Sequence, residues 1–234
     1  MVKSKLLLWL FALALIAGFS SLGRWQLHRA AEKQSLLDQQ TQLLATSAPQ
    51  SLAELSRQSE TRLASVEGRG RFADAPALLL DNQRRGDAVG VHVYRVFQPF
   101  GGRALLVDLG WLQLPPDRKL PTLTPISGEQ LVSGLLTPPP SSGLALGPAY
   151  SQATPQQWLL TRVDLAALSQ ALHVDLAPRV LRLDPKLPIG YPRDLNLLTN
   201  TLPPERHRGY AVQWFGLALA TLITALFLTF RRRP

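Results

Sequence analysis

Cysteine is absent from the chain, which excludes disulfides, thiolate metal sites, iron–sulfur clusters and a covalent c-type haem, for which C-x-x-C-H is needed. Methionine occurs once, at Met1, which argues against a methionine-rich copper chaperone. Acidic residues are scarce, 16 against 25 lysines and arginines, and the net charge is +9 with a pI near 10.6. A balance of that kind can signal nucleic acid, but the positions say otherwise. All 16 acidic residues and 20 of the 25 basic ones lie between Arg24 and Arg208, so this middle carries only +4. The other five, Lys3, Lys5 and Arg231 to Arg233, flank apolar runs. This is charge that sets membrane topology, and no nucleic-acid partner is expected. No internal repeat or nucleotide-binding glycine loop is visible. No nucleophile–base–orienter set can be read, and the carboxylates Asp108 and Asp117 have no partner base at an informative spacing.

What the chain does have is two long uncharged runs. The second, Tyr210 to Phe230, is 21 residues long. At about 1.5 Å per helical residue it spans roughly 30 Å, the thickness of a bilayer's hydrocarbon core. Pro203 and Pro204 suit the entrance of that helix, where N–H groups are orphans in any case. The first run, Leu6 to Gly23, has 18 residues after Lys3 and Lys5. A cleaved signal peptide is the rival reading, but the stretch is long for one and lacks a clear small-x-small site. The spacing predicts transmembrane helices over 6–23 and 209–230, with 231–234 a basic cytoplasmic tail. Basic residues at both ends place both termini in the cytoplasm and the 24–208 domain outside it. Arg24, Arg29 and Lys33 oppose this for the first helix, yet a long domain translocates largely regardless of charge.

The domain reads as mainly helical over 24–60 and mainly strands over 61–185. Leu27, Ala30, Ala31 and Leu37 recur at helical steps, and Ser51 to Glu54 form a capping box for a short helix. Candidate strands are Arg62–Phe72, Leu78–Asp81, Val89–Phe97, Ala104–Leu114, Gln130–Leu136, Gln157–Arg162 and Arg179–Leu183. In the third, Val89, Val91 and Val93 share one face and His92, Tyr94 and Val96 the other. Asp81-Asn82, Arg85-Gly86-Asp87 and Gly101-Gly102 are turn signals. Asp164 can cap one helix with Leu165, Leu168 and Leu172 on its apolar face. The stretches 115–125 and 138–148 read as irregular surface loops. Short connections favour antiparallel pairing. The expected architecture is an α+β membrane protein, two transmembrane helices flanking an extracytoplasmic domain built on an antiparallel, barrel-like sheet.

Three sets of residues carry a family resemblance. The first anchor ends in Leu22-Gly23-Arg24-Trp25-Gln26-Leu27-His28-Arg29, with Lys33 following. The middle has Val66-Glu67-Gly68, Leu80-Asp81-Asn82, Gly86, Gly90 and Leu106 to Trp111. The second anchor opens with His207-Arg208-Gly209-Tyr210-Ala211-Val212-Gln213-Trp214-Phe215. Together they resemble the surfeit locus protein 1 family, in its bacterial-type members, across nearly the whole chain. Two positions depart from the family pattern. Asp108-Leu109-Gly110-Trp111 stands where Asn-Arg-Gly-Trp is usual, and Arg208 stands where leucine is usual.

The resemblance implies a non-enzymatic cytochrome c oxidase assembly factor in the bacterial inner membrane, with the middle domain periplasmic. It implies a haem a chaperone that assists insertion into oxidase subunit I, with haem a synthase and membrane lipid as further partners. It implies His207 as the haem iron ligand and Trp214 as a contact. The residues add their own argument. Neutral imidazole is a good iron ligand. Arg206 and Arg208 disfavour a charged His207 by like-charge repulsion and could pair with propionates. Positions 207, 211 and 214 share a helical face, so a macrocycle hanging from His207 could rest on Ala211 and stack on Trp214. The plainer alternative is that His207, Tyr210 and Trp214 are interfacial anchors. His28 also lies near the outer surface, where it could complete a two-histidine site or simply be solvated. His92 and His173 are assigned no function. The rival to the chaperone is a cofactor-free scaffold for oxidase intermediates; an enzyme acting on lipid or haem is a third reading.

Overall fold

The computed structural model describes residues 2–46, 48–58, 62–140, 147–195 and 201–230. The basic tail expected over 231–234 and part of the loop expected over 138–148 lie outside the described residues. The elements in chain order are α1 (Val2–Thr46), β1 (Gln50–Ser51), α2 (Leu52–Ser56), β2 (Ala64–Phe72), β3 (Ala77–Arg85), β4 (Ala88–Pro99), β5 (Ala104–Gln113), β6 (Glu129–Thr137), β7 (Tyr150–Thr154), β8 (Gln157–Leu160), α3 (Leu165–Leu172), β9 (Leu176–Leu183) and α4 (Pro204–Phe230). They fall into two units, residues 1–39 with 197–234, and residues 40–196.

The first unit holds most of α1 and all of α4. Both helices are long and apolar enough to cross a membrane. α1 runs unbroken for 45 residues, about 68 Å at the usual helical rise, so the apolar run ends at Gly23 without ending the helix. Leu6, Leu7, Leu10, Phe11 and Leu13 on α1 are exposed, as are Val212, Leu217, Leu219, Ile223 and Phe227 on α4. Such an apolar exterior is compatible with lipid as its solvent.

The second unit is built on a sheet of nine strands among the described residues, in the order β1-β2-β6-β9-β5-β4-β3-β8-β7. A further pairing of β2 with β4 closes β2, β6, β9, β5 and β4 into a ring. β4 makes this possible by changing partner along its length. Its first part pairs with β3 as far as Tyr94, and its end pairs with β2 through Phe97, Gln98 and Pro99. The ring encloses Val66, Val91, Val93, Phe97, Leu105, Val107, Leu109, Val132, Leu136 and Leu181. Alternate residues, among them Leu78, Leu80, Tyr94, Val96, Leu106 and Val180, form a second core on the other face. Strand side chains alternate between faces, and here both faces are buried.

The expected all-antiparallel sheet is corrected: the sheet is mixed. The short links β3–β4, β4–β5 and β7–β8 do make antiparallel hairpins. β2–β6, β6–β9 and β2–β4 are antiparallel as well, whereas longer connections allow β1–β2, β3–β8 and β5–β9 to run parallel. The chain between β5 and β9 includes α3, which Asp164 caps by accepting from the Ala167 N–H at 3.1 Å. Leu165, Leu168 and Leu172 of α3 pack on the second core. Ser51 caps α2 in the same way through the Glu54 N–H.

Asp81-Asn82 is not a turn. β3 continues through it with a register shift between Leu80 and Gln83, and Asn82 takes a left-handed φ of 57°. Asparagine tolerates that region, so the signal for a turn here marks a bulge. Gly86 and Gly101 do turn the chain, with φ of 61° and 76°. β1 and β7 were not visible in the sequence: β1 has two residues, and four of the five β7 residues are exposed. The segment after β5 is irregular as expected, but it is no simple surface loop, since Leu120, Leu123 and Ile126 pack on the ring's core.

Candidate functional site

The first unit is a pair of helices joined by matched contacts. Trp9 Nε1 donates to Thr229 Oγ1 at 3.1 Å, Phe19 stacks on Trp214 with centroids 5.8 Å apart, and His207 Nδ1 lies 2.6 Å from Gln26 Oε1. Lys33 Nζ donates to the Leu202 carbonyl at 2.5 Å. The number on α1 rises as the partner's falls, so the helices run antiparallel.

The less exposed positions of α1 include Trp9, Ala12, Ile16, Phe19, Gly23, Gln26, Ala30 and Lys33, which follow one another in alternating steps of three and four. On α4 they include His207, Ala211, Trp214, Ala218 and Ala225. This is the 3.5-residue seam of a helical pair. Ala12, Gly23, Ala30, Ala211, Ala218 and Ala225 are the small residues on it, and they let backbones approach closely. A Cβ on Gly23 would come within 2.8 Å of the Phe215 ring.

His207 sits in this seam at 6% exposure. The Gln26 carbonyl oxygen can only accept, so Nδ1 carries the proton and donates. Nε2 is then the lone-pair nitrogen. It is buried, and it has no hydrogen-bond partner among the described residues. A buried polar atom left unpaired costs about 1–3 kcal/mol. An imidazole whose Nδ1–H is donated keeps its lone pair on Nε2, the nitrogen through which such a ring can ligate a metal.

The structure distributes the other site residues predicted from sequence over two faces. Ala211 and Trp214 share the His207 face, as the periodicity requires. That face is turned to α1: Ala211 is 1% exposed and Trp214 stacks on Phe19. Arg206 and Arg208 flank the histidine and are exposed. Arg208 Nη2 reaches Gln34 Oε1 at 3.5 Å. His28 is exposed and pairs with Glu32 at 3.1 Å, within its own helix. Among the described residues no group of three or more His, Cys, Asp or Glu side chains could hold a metal ion. A metal at His207 would therefore bring most of its own ligands, as a haem iron does.

Gln26 stands in the motif that ends the first apolar run, and the resemblance implies no role for it. Its signal was there in the three-and-four spacing of Phe19, Gly23, Gln26 and Ala30, which places it on the face that meets α4.

A second polar cluster lies in the sheet unit. Asp108 on β5 is buried and accepts from His92 Nδ1 and from the Gly110 N–H, each at 3.0 Å. Arg182 Nε lies 3.7 Å from its other oxygen. Burial by itself raises the Asp108 carboxyl. The His92 hydrogen bond and charge, the Arg182 charge and the Gly110 N–H outweigh it and hold the group below its ordinary range. Asp108 thus has a base beside it after all, sixteen residues away in sequence and brought close by the β4–β5 pairing. Asp117 is exposed and pairs with Lys119 at 2.9 Å. Gly110, with φ of 113°, carries the chain past the Tyr191 carbonyl, which a Cβ would approach to 2.5 Å. The cluster ties β4, β5 and β9 together.

A comparison with curated proteins gave no match. The SURF1 family model matches residues 13–219, a span that takes in the whole sheet unit and the part of the helical seam that holds Gln26, His207 and Trp214. This agrees with the resemblance carried by the two helix motifs, and the chain belongs to the SURF1 family, which is associated with cytochrome oxidase assembly.

Proposed function

We propose that the chain holds haem a as cargo at the outer surface of the bacterial inner membrane and delivers it to subunit I of a cytochrome oxidase. The observation that carries this reading is His207, buried, with Nδ1 committed to Gln26 and Nε2 without a partner among the described residues. Native structures rarely leave a buried polar atom unpaired, and one that is calls for an explanation such as a bound ion, a water or a catalytic or redox role. Neutral imidazole offering Nε2 is the form that binds haem iron. Arg206 and Arg208, exposed on either side, suit the propionates. Ala211, Trp214 and the buried His207 Nε2 can meet the haem only where α1 gives them up, so in the closed pair only Arg206 and Arg208 are within reach of it.

In this reading the two apolar helices are anchors. Lys3 and Lys5, with Arg231 to Arg233, hold both termini in the cytoplasm, and the sheet unit is periplasmic. The protein acts as an assembly factor, without an enzymatic step. Haem a synthase is a natural donor, and membrane lipid surrounds the anchors.

One observation favours a cofactor-free scaffold instead. Trp214 and Ala211 are already satisfied by α1. A helical pair so interlocked needs no cargo to hold its shape.

The test is His207→Ala in the full chain, produced in cells that make haem a. The apolar run from Tyr210 to Phe230 is untouched, so the variant should accumulate normally in the membrane. It should lose bound haem a, and oxidase assembly should fall with it. Full haem occupancy with an unaltered absorption spectrum would move the ligand elsewhere. A colourless wild-type protein that still supports assembly would favour the scaffold.

A further inference from the structure

We infer that Gln26 is the positioning residue of His207: its side-chain carbonyl fixes the imidazole tautomer and so makes Nε2 the ligating atom. The inference rests on the haem reading above, and it assigns to α1 a direct part in a site whose ligand is on α4.

The geometry is specific. Gln26 Oε1 and His207 Nδ1 are 2.6 Å apart across the helical pair, 181 residues apart in sequence. Neutral histidine has two tautomers, and the hydrogen bond at one nitrogen decides which nitrogen is left to bind. An acceptor at Nδ1 therefore frees Nε2, the atom found buried and unpaired. Gln26 can hold this position because its neighbours on the seam are small. Gly23 lies one turn before it and Ala30 one turn after it, the latter 2% exposed. The facing residue one turn on from His207 is Ala211.

The choice of glutamine has a chemical consequence. A carboxylate on Nδ1–H would give the ligand imidazolate character and bind iron too firmly for a protein that must release it. An amide carbonyl orients the ring and raises its basicity less. A ligand's orienting partner commonly changes metal affinity by about 10–100-fold when it is removed.

The experiment compares wild type, Gln26→Leu and Gln26→Glu as full chains in detergent. Haem a is titrated as the probe, the iron–histidine stretch is read by resonance Raman, and the imidazole ¹⁵N shifts of His207 are read without haem. Gln26→Leu should weaken haem a binding by about 10–100-fold and bring up the Nε2–H tautomer. Gln26→Glu keeps an acceptor at the same reach, so it separates a lost acceptor from lost packing. It should retain the Nδ1–H tautomer, bind at least as tightly as wild type and shift the iron–histidine stretch upward. Should Gln26→Leu bind haem a with wild-type affinity and keep the Nδ1–H tautomer, the role of Gln26 is refuted while the haem reading stands. Should Gln26→Glu bind as weakly as Gln26→Leu, packing and not the acceptor is responsible, and the inference also falls. A wild type that takes up no haem a overturns the haem reading itself, and this inference with it.

Discussion

Gly70→Ala should open the ring of strands. Gly70, like Arg71 after it, pairs on both sides of β2, with Gln130 of β6 and with Pro99 of β4. A Cβ there would sit 2.2 Å from the Gln98 carbonyl oxygen, 2.8 Å from Pro99 Cα and 2.7 Å from Phe97 Cζ, whereas ordinary contact begins near 3.4 Å. Two of the three atoms are backbone, so no side chain can swing away to relieve the clash, and the strands must part by roughly 1 Å. A hydrogen bond stretched by that much leaves the useful range. The β2–β4 contact has only three residue pairs, so little remains to hold it. One or two lost hydrogen bonds at about 1 kcal/mol each, with overpacking strain of about 1–3 kcal/mol, give a loss of about 3 kcal/mol. For a domain of this size the melting point should fall by roughly 6–12 °C. The measurement is thermal unfolding of the full chain in detergent, followed by near-ultraviolet circular dichroism. Gly18→Ala is the control, since its Cβ meets no atom within 4 Å. A Gly70→Ala protein melting within about 2 °C of that control would refute the closed ring.

Two further outcomes are expected. The Asp108 carboxyl is held below its ordinary value of 3.8, so the folded state favours the carboxylate; its stabilisation is full above that value and is lost as pH falls through the lower folded one. Asp108→Asn should therefore melt lower at pH 7 and lose part of the acid dependence below about pH 4, and an unchanged melting curve at both ends would show that the cluster contributes nothing. For topology, a reporter active only outside the cytoplasm should work when inserted at Gly128 and stay silent when fused to the C-terminus, and the reverse pattern would invert the orientation.

What could be read from the chain was local. Val91 and Val93 alternate with Tyr94 and Val96, and the alternation alone assigned them to two faces. Asp164 and Ser51 announced their helices because a cap needs only three residues of context. The apolar runs fixed both long helices because length and charge suffice. The misses were contacts made at a distance. β7 has four exposed residues and owes its extended form to β8, so its own sequence carries little signal. Asn82 supplied the residue type of a turn in a place where the neighbouring strand continued the pairing. The site divides the same way. His207 stood out through the family motif that opens the second apolar helix. Gln26 did not, because glutamine on a polar helix is ordinary until a histidine from another helix is placed against it.

The ring of five strands carries one more consequence, a matter of parity. Going once around a closed ring must return each strand to its own direction. Direction reverses at every antiparallel pairing, so the number of such pairings must be even. Five strands make five pairings, and at least one of them has to be parallel. Here β2–β6, β6–β9, β4–β5 and β2–β4 are antiparallel, and β5–β9 is the single parallel join. A five-membered ring with antiparallel pairing throughout was never available to this chain. The parallel join also explains the traffic between β5 and β9. Two strands that point the same way cannot be linked by a tight turn, so the chain has to travel back to the starting end, and β6, β7, β8 and α3 are what it builds on that return.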